Sequence, residues 1–176
     1  MSKTMSDRLK DSFVTQINHN LGIAHKICRL YFADVDDRDD AMQEMMYQLW
    51  RSYKTFDGRS KFSTWMYRVC LNTALTYKRK DKNEKHELLS EQHDQIADHT
   101  THHKEETIGV LFDAIGKLSP LNKAITLLYL EDMTYEEISG ITGLSKSNVS
   151  VRLVRIKKEL EVEMKKKIKS IEDVNF

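Results

Sequence analysis

Apolar residues recur every three or four positions through most of the chain, which is the spacing of one face of an α-helix. The first such stripe covers about residues 11–31, and a second follows the acidic segment 34–40. Asp36, within that segment, is predicted to cap the second helix. A third stripe begins at Phe62 and ends in the basic run 78–80. The first part of the chain is therefore predicted to form three helices.

The helical pattern stops between residues 81 and 107. Apolar residues are sparse there, and the segment has eight acidic and three basic residues. This composition predicts a flexible acidic linker. The linker also contains five of the seven histidines, which are His86, His93, His99, His102 and His103. Because no cysteine or ordered helical scaffold accompanies them, no metal site is predicted.

Helical spacing resumes near Ile108 and carries clear start and stop signals. Ser119-Pro120 is typical of a helix start, with serine at the cap and proline in the first turn. Residues 134–137 have the composition of a capping box. Gly143 can adopt the positive φ that a sharp turn needs, and Ser145 can cap the last helix. Residues 134–153 are therefore predicted to form a helix-turn-helix.

The fold expected from these patterns is all-α. Two small helical domains, 1–80 and 108–176, are joined by the flexible linker 81–107, and the C-terminal domain is the helix-turn-helix. The chain has only six glycines and one proline, which disfavours a fold of many short strands.

The second helix of a helix-turn-helix enters the major groove of DNA, where polar side chains read base edges and cations bind phosphates. The residues that this helix is expected to expose are Lys146, Ser147, Asn148, Ser150, Val151, Arg152 and Arg155. A short helix pair with a glycine turn can be merely structural. Here the capping box, Gly143 and a basic face occur together, which favours DNA binding.

A second basic segment lies in the first domain. Residues 51–82 contain nine basic and two acidic residues, with aromatic residues between them. Cations for phosphates and flat rings for bases are the components of single-strand binding. The alternative is a solvated basic face with its aromatic residues in the core. Phe62, Trp65 and Tyr77 fit that alternative because they lie on the apolar stripe. Four residues do not fit that alternative and are predicted to contact nucleic acid: Tyr67, Arg59, Lys61 and Asn72.

Two stretches of the chain resemble the domains of a known family. Residues 40–44, Leu49-Trp50, Phe56, 62–69 and Asn72 resemble the sigma-2 domain of bacterial RNA polymerase sigma factors. Residues 118–120, 134–138, 143–145, Val149, 152–153 and Arg155 resemble the sigma-4 domain. Together they cover nearly the whole chain except the linker and the tails. Both domains in this order, without others, resemble the extracytoplasmic-function group.

The resemblance implies a role for each surface. The residues expected to dock on the core polymerase are Asp40, Gln43, Glu44, Leu49 and Trp50. The residues expected to recognise and melt the start-proximal promoter element are Arg59, Ser60, Lys61, Phe62, Ser63, Tyr67, Arg68, Asn72, Lys78 and Arg79. The helix 146–155 is expected to read the upstream element. An inhibitory anti-sigma factor is a further expected partner.

The recognition helix departs from the common pattern of this family. Where the family commonly has Thr-Val-Lys-Ser-Arg, this chain has Asn148-Val149-Ser150-Val151-Arg152. A base-facing lysine is missing, so the upstream sequence preference stays open.

The remaining composition narrows the alternatives. Net charge is +1, so only the distribution of charge suggests nucleic acid. Cys28 and Cys70 are expected to be buried free thiols. The polar N-terminus and the lack of a long apolar run predict a cytoplasmic protein without membrane insertion. A helix-turn-helix regulator that acts without polymerase remains the main alternative. An enzyme is disfavoured because no phosphate loop, zinc motif or nucleophile–base pair is present, and no cofactor is expected.

Overall fold

The structure is a computed structural model that describes residues 5–85 and 104–174. Within these ranges every regular element is an α-helix, and seven helices are present. Contacts group the chain into two compact units, Met1–Leu89 and Ser90–Phe176. The predicted all-α class and the helix-turn-helix in the C-terminal part are therefore confirmed.

The first unit consists of α1 (Met5–Tyr31), α2 (Val35–Tyr53) and α3 (Phe62–Lys85), and each helix packs against the other two. Its core contains residues at helical spacing from all three helices, including Ile27, Met45 and Met66. Cys28 and Cys70 are free and buried, as predicted. Burial raises the pKa of the Cys70 thiol to about 12 and that of Cys28 to about 11, so both stay protonated at neutral pH.

Helix boundaries differ from the prediction in several places. Helix α1 begins at Met5 rather than near residue 11, because its polar first turns carry no apolar stripe but contain no helix breaker. The cap of α2 is Asp34 and not Asp36, since the N–H groups of Asp36 and Asp37 donate to Asp34 Oδ1 at 2.8 and 3.3 Å. A cap must precede the first helical residue, which is Val35.

Both ends of the predicted linker are helical, because α3 continues to Lys85 and the next helix begins at Lys104. Lysine and glutamate are good helix formers even without an apolar stripe. The middle of the linker, 86–103, lies outside the described residues, and so do the five histidines within it.

The second unit consists of α4 (Lys104–Gly116), α5 (Pro120–Leu130), α6 (Tyr135–Thr142) and α7 (Lys146–Val174). Ser119 caps α5, whose first residue is Pro120, as predicted. The core combines apolar residues of all four helices, among them Ile115, Ile125 and Ile138. Ile156 is buried, whereas Leu160, which was also expected in the core, is half-buried. In the parts of the chain that the structure describes, no helix has the length and apolar character to cross a membrane.

Candidate nucleic-acid interface

The first helix of the helix-turn-helix begins with the predicted capping box. The N–H of Glu137 donates to Thr134 Oγ1 at 3.2 Å, and the N–H of Thr134 donates to Glu137 Oε2 at 2.9 Å. These two bonds satisfy N–H groups that the first turn of a helix leaves without helical partners. The start of α6 is therefore fixed by residues adjacent in sequence.

The turn into α7 is fixed by three further residues. Gly143 has φ +74°, in the left-handed region that favours glycine, and its N–H donates to the Ser139 carbonyl at 2.9 Å. The Ser139 hydroxyl donates to the Leu144 carbonyl, which is a role beyond the small size that the sequence suggested. Ser145 caps α7 as predicted, because its Oγ accepts the N–H of Asn148 at 3.3 Å.

The helical phase of α7 divides the recognition helix into two faces. Val149, Leu153 and Ile156 are buried against the rest of the unit. Ser150 and Arg152 are half-buried. The predicted upstream-element residues that are exposed are Lys146, Ser147, Asn148, Val151 and Arg155. All seven predicted residues thus lie within the N-terminal part of a single helix.

Two cations of the recognition helix are held by neighbouring helices. Lys146 forms an ion pair with Glu136 on α6, and the Lys146 ammonium lowers the pKa of the Glu136 carboxyl. Arg152 Nη1 donates to Asn122 Oδ1 on α5 at 3.3 Å. The sequence analysis did not identify Glu136 or Asn122 as partners of these cations. Glu136 could have been suspected from its place in the first turn of α6, but no local pattern connects Asn122 to a residue 30 positions away.

The first unit offers a basic surface on α3 and the loop before it. Arg59, Ser60 and Lys61 are exposed in the loop, and Phe62 and Ser63 are half-buried at the start of α3. Arg68, Asn72 and Arg79 are exposed and lie at helical spacing along one side of α3. They span 11 residues, or roughly 16 Å of helix axis. These predicted residues therefore share a continuous surface.

The loop between α2 and α3 is ordered by a local turn. The backbone N–H of Arg59 donates to Asp57 Oδ1 at 3.1 Å, and Arg59 Nε lies 3.0 Å from Asp57 Oδ2. Gly58, between them, has φ +72°. An aspartate that accepts the N–H two residues later is a common turn-forming arrangement. It holds the Arg59 guanidinium near the loop while leaving it largely exposed.

Six rings pack together where this loop meets the helices, and we name them the aromatic cluster. Its members are Phe13, Trp50, Tyr53, Phe56, Phe62 and Trp65. Successive ring centroids lie 5.0 to 6.4 Å apart, mostly edge to face. Every member is half-buried. The rings thus support the loop and still present partial apolar surface beside its cations.

Two predicted contacts on α3 need correction or adjustment. Tyr67 was expected to face DNA, but it is 2% exposed, so that prediction is wrong. Helix α3 packs against both α1 and α2, which makes its buried stripe two residues wide and brings Tyr67 inside with Met66. Lys78 is half-buried, with its Nζ 5.1 Å from the centroid of the Phe32 ring.

The predicted docking residues on α2 fall into two groups. Asp40, Gln43 and Glu44 are exposed on one side of the helix. Leu49 is 0% exposed in the core, so its prediction as a surface contact is wrong. Its phase is that of the buried Ala41 and Met45, eight and four residues earlier.

Trp50 and Tyr47 complete the description of α2. Trp50 belongs to the aromatic cluster, with its ring 5.0 Å from that of Phe13. Tyr47, which the sequence reasoning missed, is 56% exposed. It lies three and four residues after Glu44 and Gln43, and that spacing was the signal that could have identified it.

Metal ligands do not cluster in the part of the chain that the structure describes. No group of three histidine, cysteine, aspartate or glutamate side chains there could hold an ion.

Sequence comparisons match both units separately. Residues 16–84 match the family profile of Sigma-70 region 2, and residues 109–160 match that of Sigma-70, region 4. An ECF RNA polymerase sigma-E factor of Haemophilus influenzae is 32% identical over 142 residues, which cover 72% of this chain and 74% of that protein. The RNA polymerase sigma factor SigV of Bacillus subtilis is 30% identical over 148 residues, which cover 78% and 84%.

Two solved structures have a similar fold. The sigma factor RpoE of Bartonella quintana, in complex with the anti-sigma factor NepR, has a TM-score of 0.73 at 18% identity. The match covers 88% of this chain and 97% of that one. CnrH, in complex with the cytosolic domain of CnrY, has a TM-score of 0.60 at 19% identity, with 87% of each chain covered.

Proposed function

Because this chain belongs to the extracytoplasmic-function group of RNA polymerase sigma factors, we propose that it binds core polymerase and directs it to specific promoters. The observation that carries the proposal is the presence of both matched regions in one chain. Promoter recognition, melting and initiation follow from this membership. A regulator that acts without polymerase is not favoured, since the relatives are polymerase sigma factors. In this proposal the chain binds and positions promoter DNA, while the polymerase carries out the chemistry. The protein would act in the cytoplasm, where the polymerase is.

We divide the work between the two units, Met1–Leu89 and Ser90–Phe176. The exposed side of α2 (Asp40, Gln43 and Glu44) contacts the polymerase. The loop residues 59–61, the start of α3 (Phe62 and Ser63) and the exposed side of α3 contact the start-proximal element. The recognition helix reads the upstream element. The support for this division is that each residue set is exposed on one surface of one unit.

We call the loop residues 59–61 and the exposed side of α3, together with the adjoining aromatic cluster, the melting surface. It has the components that are needed to bind separated strands. A base held out of the duplex loses its stacking and its hydrogen bonds, which costs a few kcal/mol of free energy. The protein must therefore offer a stacking surface and hydrogen-bonding groups in their place. The aromatic cluster offers rings, and the loop offers the cations of Arg59 and Lys61 for phosphates. Asn72 presents an exposed amide on the same helix. This combination favours single-strand capture over a role in docking.

An anti-sigma factor is a further proposed partner. The structural neighbour RpoE was solved in complex with the anti-sigma factor NepR. An inhibitor that covers the docking side of α2 or the helix-turn-helix would prevent promoter use without unfolding either unit.

Run-off transcription with purified core polymerase and genomic fragments tests the proposal. We expect discrete transcripts that require this protein, and transcripts that are unchanged when it is omitted would refute the assignment. For the melting surface, Asn72→Ala is compared with Asn18→Ala, an exposed asparagine on α1 outside the proposed contacts. With the Asn72→Ala variant, core polymerase should start transcription poorly on duplex promoters and normally on a pre-melted bubble template. Binding of this variant to core polymerase should be unchanged.

A further inference from the structure

An apolar side chain lies in the middle of the recognition surface. Val151 is 49% exposed, although the valine two positions earlier, Val149, is completely buried. Two residues along a helix correspond to about 200° of rotation, so Val151 is directed away from the core that Val149 enters. Its exposure is therefore set by the phase of α7, and its methyl groups contribute little to folding.

The neighbours of Val151 carry the groups that bind DNA. Asn148 precedes it by three residues and Arg155 follows it by four, so all three lie on the same side of α7. Lys146 and Arg152, which neighbouring helices hold, flank it along the helix. These two cations are separated by roughly 9 Å of helix axis, and Val151 lies between them in the sequence. Val151 is thus placed where base edges would be read.

The chemistry of valine selects one feature of the major groove. Donors and acceptors line that groove for every base, but only thymine also presents an apolar group, its C5 methyl. Valine has no polar side-chain atom, so it can discriminate between bases only through an apolar contact or by shape. We propose that Val151 recognises a thymine of the upstream element through the C5 methyl group of that base. This inference rests on the proposed role of α7 in reading the upstream element.

Exposure alone would not support this assignment, since single apolar residues are common on protein surfaces. Val162 shows the difference, because it is 51% exposed on the same helix but lies about two turns beyond Arg155, the last of the predicted upstream-element residues. The N-terminal residues of a recognition helix are the ones that contact base edges, so Val151 is placed for such a contact and Val162 is not. Val162 therefore provides a matched control of the same residue type, helix and exposure.

The test uses full-length protein with core polymerase. The upstream element is first selected from a random DNA library, and each thymine of the selected element is then replaced singly by uracil, which pairs identically but lacks the methyl group. We expect one replacement to weaken wild-type binding about threefold to fivefold, the effect of losing one buried methyl contact. Val151→Ala should bind the thymine and uracil elements equally, and Val162→Ala should keep the wild-type ratio.

The outcomes separate this inference from the proposed function. If the holoenzyme enriches no sequence beyond core polymerase alone, the proposed function fails, and the inference with it. If an element is selected but contains no uracil-sensitive thymine, or if Val151→Ala keeps the wild-type ratio, the inference alone is overturned.

Discussion

The helix-turn-helix of the second unit and the α3 surface of the first unit both present cations, but the cations are held in different ways. In the second unit, Lys146 and Arg152 are held by side chains on two other helices. In the first unit, Arg59 is held by Asp57, two positions away in the same loop. The difference is that contacts between helices position the cations of α7, whereas a local turn positions Arg59.

Preorganisation of this kind suits the proposed tasks. Reading base edges in a duplex requires donors held at set positions on a rigid helix. Capturing bases from separated strands requires stacking surface and cations, and tolerates adjustment of a loop. The aromatic cluster supplies the rigid part of the first unit, and the loop of Arg59 supplies the adaptable part.

The largest expected effect tests whether the two units are also separate in stability. Leu49→Ala should lower the free energy of unfolding of the first unit by about 2–5 kcal/mol, because it removes buried methyl groups and leaves a cavity. Hydrogen exchange should show faster exchange in α2 and α3 and no change in α5 and α7. Equal loss of protection in both units would contradict the separation.

Glu44→Ala is the matched variant on the exposed side of α2. Its stability should stay within about 0.5 kcal/mol of wild type, as for most surface substitutions. Binding to core polymerase, measured by fluorescence anisotropy of labelled protein, should weaken. A variant that binds core polymerase as tightly as wild type would remove Glu44 from the docking surface.

The same contrast explains what could be predicted from the sequence. The helix-turn-helix was predictable to single residues because its signals are local: Thr134 and Glu137 lie three positions apart, and Gly143 and Ser145 bound one turn. Apolar spacing also predicted the buried sides of α1 and α7. These elements depend on contacts within a few residues, where propensity and hydrogen bonding are decisive.

Other features depended on tertiary packing that periodicity cannot resolve. Tyr67 lies at the edge of an apolar stripe, and only the packing of α3 against both α1 and α2 decides that it is buried. Leu49 instead shares the phase of Ala41 and Met45, so periodicity indicated its burial and the family resemblance assigned it to the surface. Asn122 and Arg152 are joined through the packing of α5 on α7, with no local pattern between them. Helix ends at Lys85 and Lys104 were missed because charged helical turns without apolar residues resemble linker sequence.

Two glycine substitutions, one in each unit, should change the free energy of unfolding in opposite directions. Gly143→Ala should destabilise the second unit by about 1–2 kcal/mol, because alanine disfavours φ +74° even though open space surrounds the position. Gly22→Ala in α1, which also faces open space, should stabilise the first unit by about 0.5–1 kcal/mol. Urea unfolding measures both changes. The same sign for both variants would show that backbone conformation is not the controlling factor.

The smallest expected effect is the response of the second unit to acid. Glu163 on α7 accepts hydrogen bonds from Lys117, the residue directly after α4, at 2.9 Å and from Lys166 at 2.9 Å. These two ammonium groups lower the pKa of the Glu163 carboxyl to about 2. In the unfolded chain the pKa of a glutamate is about 4.3, so the folded state favours the ionised form. The stabilisation is complete above that unfolded value and is lost as the pH falls towards 2.

Glu163→Gln should therefore flatten the dependence of stability on pH between about 4 and 2, as measured by thermal unfolding. The wild-type slope should also weaken in 1 M salt, because the pair lies at the surface and is screened. Glu159→Gln, an exposed position one turn earlier on the same helix, is the control and should keep the wild-type slope. If Glu163→Gln keeps that slope as well, the ion pairs of Glu163 contribute nothing to folding. The contacts between α4 and α7 would then rest on apolar residues such as Val110 and Ala114 and on the ion pair of Lys167 with Asp113.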